Sequence, residues 1–356
     1  MTSLTLQAAG SLAAAGPEWE PLFEAGPGFQ SQRAWFDALV EAALPQGARP
    51  LVWMVRDGGR PLLLLPMLSG PGRRLGSLTA AYTCQFQPLA APGTSGTALK
   101  EAGVVIGNAC RAWPAATLEA LDADWPGLPP FLAGLREAGM VARRFTQFGN
   151  WHQPVEGCTW EAYLATRPGS LRETIRRKGK ACNRDASVRF EEVRGGTGIG
   201  PALAAYEDVY ARSWKQPEPS PGFNRALLHR AAAAGVLRLG VMRVAGQAVA
   251  AQYWVVWRGV ATVLKLAHDD AWRALSPGTL LTAHMIRGLI GEGGIAGLDF
   301  GRGDDAYKRL WADGRRQRIG VLLANPRRPG GALALARHGA GTLLRRTRIT
   351  ATTLRV

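Results

Sequence analysis

Residues 260–281 read VATVLKLAH, then DDAWRALS, then PGTLL: an apolar run from Val260 to His268, a polar turn, and an apolar-periodic segment that starts at Pro277. Alternation and β-branching make the first part a strand. Pro277 suits the first turn of a helix, where a missing N–H has no partner to lose, and Ser276 is a residue type that caps helices. Gly278 leaves that turn without a side chain. A strand that runs through a loop into a bare helix N-terminus presents free backbone N–H groups, a ready site for phosphate.

The neighbouring segments extend this unit. Leu237–Val244 and Ala248–Trp257 read as strands joined to it through the turns Ala245-Gly246-Gln247 and Arg258-Gly259, which gives an antiparallel meander. Downstream come a helix to about Gly291, a strand Ile295–Phe300, a short helix Asp304–Trp311 and a strand Gln317–Leu323. Upstream lie a helix Trp160–Thr166, a basic run Leu171–Asn183, a strand Val188–Val193, and helices near Pro201–Trp214 and Ser220–Ala234. The first half shows a vaguer version. A helix fits Gln32–Leu44, strands fit Leu51–Arg56, Arg60–Leu68 and Arg74–Thr79, and Pro88–Gly103 reads as loop. Val104–Ile106, a helix near Ala116–Asp122, a helix Leu128–Ala138 and a strand Met140–Phe148 complete it. Residues 1–30 read as loosely structured, and Gly149–Gly157 as the boundary loop. A core seldom grows past ~250–300 residues. The 356 residues are therefore expected to form an α/β protein of two tandem lobes, 1–150 and 158–325, followed by a tail 326–356.

Hydrophobic residues make up 47% and charged residues 20%, a globular composition. No run approaches the ~18 apolar residues of a membrane span. The N-terminus shows no charged stretch ahead of an apolar one, so no secretory signal is expected. Cys84, Cys110, Cys158 and Cys182 form no C-x-x-C pair and have no His at ligand spacing. Neither a disulfide framework nor a metal site is expected, and a cytoplasmic location is. The net charge is +16, and ten arginines follow Asp313 with no acidic residue among them. Such a block is either a solvated face or a surface for an anionic partner.

The second informative stretch is Leu298–Trp311, LDFGRGDDAYKRLW. Gly301-x-Gly303-x-x-Ala306 imitates a dinucleotide fingerprint, but no long βαβ unit with an acidic residue ~20 positions on follows. What remains is a strand end with Asp299, two glycines, and a helix with Tyr307 and Lys308. Polar groups outside a strand's carboxyl end are where ligands sit in open α/β sheets. Four features together resemble the CelD-like acetyltransferase family of the GNAT superfamily, which is related to the two-lobed Fem-type peptidyltransferases. They are the basic run Leu171-Arg172-x-x-Ile175-Arg176-Arg177-Lys178, Ser213-Trp214-Lys215, Leu275-Ser276-Pro277-Gly278, and Asp299-Phe300-Gly301-x-Gly303 with Tyr307-Lys308 and Trp311. The resemblance spans roughly 160–325.

That resemblance implies a GNAT-like fold and an acyl-CoA donor, acetyl-CoA or another. Arg273-Ala274-Leu275-Ser276-Pro277-Gly278 matches the family's pyrophosphate loop, Gln/Arg-x-x-Gly-x-Gly/Ala, with Ser276 in place of the first Gly. Arg273, Ser276, Pro277 and Gly278 would hold the donor, and Lys265 would lie along its thioester. An amine attacks the thioester directly. Asp299 is the candidate base or base-orienter, Tyr307 the candidate acid, and Asp269 a second candidate base. Arg172, Arg176, Trp214, Gly303 and Lys308 are candidates for the acceptor. Bland readings stand beside these: Asp299 as a cap, Tyr307 and Trp311 as packing, the basic run as a solvated face, and His268 and His284 as structural. The implied activity is N-acylation of an amino sugar or related amine in cell-surface or exopolysaccharide synthesis. Two alternatives stay open: transfer from an aminoacyl-tRNA, and a non-enzymatic sensor of an anionic nucleotide such as a cyclic dinucleotide. Arg315, Arg316 and Arg318 are candidates for phosphate contacts. Residues 332–348 fit an amphipathic helix that suits an anionic membrane or nucleotide, which would place the protein peripherally at the inner membrane.

Overall fold

The computed structural model describes residues 4–340. Its strands, in chain order, are β1 (Leu4–Ala9), β2 (Arg49–Asp57), β3 (Arg60–Gly70), β4 (Arg74–Ser77), β5 (Leu89–Ala90), β6 (Ala115–Asp122) and β7 (Val141–Pro154). The second half adds β8 (Val188–Val193), β9 (Leu237–Val244), β10 (Gln247–Trp257), β11 (Val260–His268), β12 (Gly297–Arg302) and β13 (Gly314–Ala324). They join one mixed sheet in the order β1-β2-β3-β4-β6-β13-β7-β12-β11-β10-β9-β8, with β5 on β3.

Both halves follow one plan. Antiparallel strands lead to a helical crossover and a parallel neighbour: β4 beside β6 across the helix Gly96–Cys110, and β11 beside β12 across the helix Pro277–Glu292. The return strand of each half then lies against the other half. β7 pairs with β12, β13 pairs with β6, and β7 and β13 pair with each other in the middle. Hydrophobicity follows position. In β10 every residue from Ala248 to Val255 is buried, because the helices Ile199–Ala211 and Pro277–Glu292 both pack against it.

The second half matches its sequence reading closely, and the first half departs from it. Residues 1–30 are not loose: β1 and short helical turns bury Leu12, Trp19 and Phe23. The stretch read as loop up to Gly103 is helical from Gly96, the start of the helix Gly96–Cys110, and Ala115–Asp122 is a strand rather than a helix. Gly103 misled. A Cβ on Gly103 would lie 2.4 Å from the Phe131 carbonyl, and one on Gly134 would lie 1.9 Å from that of Lys100. They mark where the helices Gly96–Cys110 and Leu128–Glu137 touch. The segment read as a boundary loop, Gly149–Gly157, is strand as far as Pro154, so β7 crosses from one half into the other.

A chain of buried polar groups runs across that centre. Arg318 on β13, its side chain 1% exposed, donates to Asp122 at 2.7 Å and to Asn150 Oδ1 at 3.0 Å. Asn150 Nδ2 on β7 donates in turn to Asp299 Oδ1 on β12 at 2.7 Å. Arg315 pairs with Asp304, and Arg316 stands 4.0 Å from Asp299. The charges expected to meet ligand phosphates here thus have acidic neighbours inside the fold. Residues 329–340 are helical, and Arg345, Arg346, Arg348 and Arg355 lie outside the described residues.

Candidate active site

Strands β11 and β12 stay paired only from Val260/Gly297 to Thr262/Asp299. Beyond that point they part, and a cleft of about 780 Å³ opens between them. Its walls include Val263, Lys265 and His268 of β11, Phe300, Gly301 and Arg302 of β12, and Ser276, Gly278 and Thr279 from the start of the helix Pro277–Glu292. The first half closes one side with Trp35, Tyr82 and Cys84. The corresponding opening in the first half is filled. Phe86 is buried and bridges to Leu121, while Ser77 Oγ and Gln147 Oε1 accept the amides of Glu119 and Ala120.

Two backbone features shape the open cleft. Gly301 at φ 67 turns β12 away, and a Cβ there would press the Val263 carbonyl at 3.1 Å. Asp299 Oδ1 accepts the Gly301 amide at 2.7 Å and fixes that turn. Ser276 adopts a left-handed conformation, φ 59 and ψ 47, and its side chain caps nothing, contrary to the sequence reading. The left-handed turn swings the chain from the turn Asp270–Leu275 into the helix. The Gly278 and Thr279 amides precede the first intrahelical hydrogen bond and line the cleft. Gly278 fits because a Cβ would lie 3.1 Å from the His268 ring.

The cleft is electropositive. Lys215, Lys265, Arg273, Arg302 and Lys308 line it, against one carboxylate, Asp305. Lys308 is tied down by Asp305 and the Arg302 carbonyl. Lys265 donates to the buried Glu218 at 2.6 Å and lies over the Tyr82 ring. Burial opposes the charge on Glu218, but Lys265 and the Tyr82 and Tyr210 hydroxyls outweigh it and keep its pKa below the usual carboxylate range. Burial pushes the Tyr82 phenol up to about 12. Lys215 has no acidic partner among the described ion pairs. Burial, reinforced by Lys265, lowers its ammonium to about 8.

Tyr307 also lines the cleft. Its hydroxyl sits 2.8 Å from Thr282 Oγ1 and 3.3 Å from the Gly278 carbonyl, and burial raises its pKa, so the phenol keeps its proton. Thr282 continues to the fully buried Gln252, whose Nε2 has no partner.

Of the residues singled out in the sequence, Lys265, Arg273, Ser276, Gly278, Trp214, Tyr307 and Lys308 meet in this cleft. Others do not. Asp299 is absent from its walls and is committed to Asn150 and Gly301. Asp269 is buried, accepts the Ala271 amide, pairs with Arg212 and is absent from the cleft walls. Pro277 is buried behind the loop, and Gly303, at φ 110, forms a turn outside the wall. Arg172 and Arg176 lie on the exposed face of the helix Gly169–Arg184 and away from the cleft. Arg176 pairs with Glu173. Sequence reading missed Tyr82, Cys84, Glu218 and Arg302. Only the fold brings the 82–84 loop to this cleft, and no local pattern marks it.

Residues 169–309 match the family model described as Acetyltransferase (GNAT) domain. No curated protein matches the chain in sequence. Among solved structures, FemX aligns over 89% of this chain and 96% of its own, with a TM-score of 0.60 and 10% identity. A tandem GNAT protein from the clavulanic acid biosynthesis pathway aligns over 90% and 98%, with a TM-score of 0.53 and 14% identity. At such identities the likeness is one of fold, and the fold of this chain is a GNAT-like acyltransferase fold. No helix among the described residues is long and apolar enough to cross a membrane.

Proposed function

We propose that this protein transfers an acyl group from acyl-CoA to the amine of an amino sugar or a related acceptor, in cell-surface or exopolysaccharide synthesis. The observation that supports this reading is the cationic opening between β11 and β12, which ends on the free amides of Gly278 and Thr279. Those amides and Arg273 suit a pyrophosphate. The thioester then lies along β11 near Lys265, where strand amides freed by the divergence of β12 can stabilise an oxyanion. The acceptor amine gives its proton to water in the cleft and attacks the thioester carbon. The tetrahedral adduct collapses, the carbon–sulfur bond breaks, and Tyr307 protonates the departing thiolate. Asp299 acts through Gly301, whose turn it fixes. Acetyl is the first acyl group to try.

The test is thiol release from acetyl-CoA and longer acyl-CoAs in the presence of amino sugars, alongside thermal shifts with each donor. Release with a raised melting temperature supports the reading. Thermal shifts with charged tRNA alone would overturn it. One observation favours that second donor: on the helix Gly169–Arg184 only Arg176 has a carboxylate partner among the described ion pairs, which leaves Arg172, Arg177, Lys180 and Arg184 to face an anion.

A further inference from the structure

The cleft has a second mouth. A groove of about 490 Å³ on the side of residues 210–219 shares Tyr82, Trp214, Lys215 and Lys265 with the donor cleft and adds Tyr210 and Glu218. The walls are aromatic. Trp214 is 51% exposed, one of two large hydrophobic residues that open to solvent among those described, and its ring rests on His268 at 4.3 Å. Tyr82 stacks flat on Phe223 at 4.4 Å, which holds the opposite wall rigid. The cations along the passage are unequal. Lys265 has Glu218 and Lys308 has Asp305, but Lys215 has only the faces of Trp214 and Tyr210, at 5.6 and 5.9 Å. A partly buried ammonium without a counterion is costly unless a ligand supplies one.

We infer that this second mouth is the acceptor port, and that it takes an amine on a ring that also carries an anionic group, phosphate or carboxylate, which Lys215 binds while Trp214 covers the ring. The inference rests on the donor occupying the β11–β12 cleft. With the donor there, the two ligands enter from opposite sides and meet beside Lys265. An uncharged amino sugar leaves Lys215 unpaired and binds more weakly.

The groups that face Lys215 are Lys265, Glu218, Lys308, Asp305 and the His268 ring. Lys215 loses its proton near pH 8, and the anion loses its partner with it. The probes are amine-free, product-like sugars used as inhibitors: N-acetylglucosamine 6-phosphate, N-acetylglucosaminuronate and uncharged N-acetylglucosamine. For the wild-type protein, one charged probe or both should bind at least ~10-fold more tightly than the uncharged one at pH 7. That preference should shrink by about tenfold per pH unit above 8, since each unit of lost protonation removes a factor of ten in the competent form. Which probe shows it separates phosphate from carboxylate. Lys215→Met and Lys215→Gln should abolish the preference, and Lys215→Arg should keep it to higher pH, all with acetyl-CoA affinity within about twofold of wild type. A preference that survives in the Met and Gln variants, or that ignores pH in the wild type, overturns the inference. So does a loss of acetyl-CoA affinity equal to the loss for the sugar, because Lys215 would then serve the donor. If the wild type binds acetyl-CoA but shows no charge preference, the port falls and the donor reading stands. If it binds no acyl-CoA, both fall.

Discussion

At the residue scale, the site depends on a few positions whose chemistry is unusual for their surroundings. Ser276 holds a left-handed backbone, which costs a residue with a Cβ about 1–2 kcal/mol. Ser276→Gly removes that cost at the expense of chain entropy, so stability and acyl-CoA affinity should both stay near wild type. Ser276→Val puts a β-branched side chain where it fits worst, and acyl-CoA affinity should fall at least tenfold by calorimetry. Equal affinities in the two variants would detach the loop geometry from donor binding. Tyr307 is the second such position. Tyr307→Phe removes the hydroxyl proposed to protonate the leaving thiolate and should lower kcat by ~10²-fold with little change in KM. Thr282→Val leaves the phenol in place but unties it from Thr282, and should lower kcat by a smaller factor. Full turnover in Tyr307→Phe would assign the leaving-group proton to water. The loop and the tyrosine were legible as local motifs. The bond that holds Asp299 was not, because its partner Asn150 lies 149 positions away.

At the scale of elements, patterning served the second half well because its strands are long, β-branched and separated by short Gly turns. Val188–Val193, Leu237–Val244 and Val260–His268 read from sequence with the bounds the structure gives them. The first half defeated the same rules where tertiary contact overrode local preference. Gly103 looks like a loop residue until its neighbours are known, and Gly107 packs as closely: a Cβ on Gly107 would meet that of Ala138 at 2.6 Å. These positions test the packing. Gly134→Ala pushes a methyl into the Lys100 carbonyl and should destabilise the protein by about 1–3 kcal/mol in urea unfolding, although alanine favours helix. A neutral or stabilising result would mean that the two helices have room to separate.

At the scale of the whole molecule, two halves with the same strand plan share one sheet, and their return strands have changed places. No sequence pattern announces this, since hydrogen-bond partners of β7 and β13 are set by topology rather than by side-chain periodicity. The consequence is cooperativity. Both halves should melt in one calorimetric transition, and two well-separated peaks would show that the halves hold together independently. Arg318 tests the joint. Arg318→Met strips the buried partner from Asp122 and Asn150 and should cost about 3–5 kcal/mol. It should lower the single transition as a whole rather than split it.

The position of β13 also constrains how the protein is made. β6 and β7 flank it in the sheet, yet both leave the ribosome long before Gly314–Ala324 is synthesised. Until then each offers an unpaired edge to another chain. Slow synthesis between Pro154 and Gly314 would lengthen the time that gap stays open.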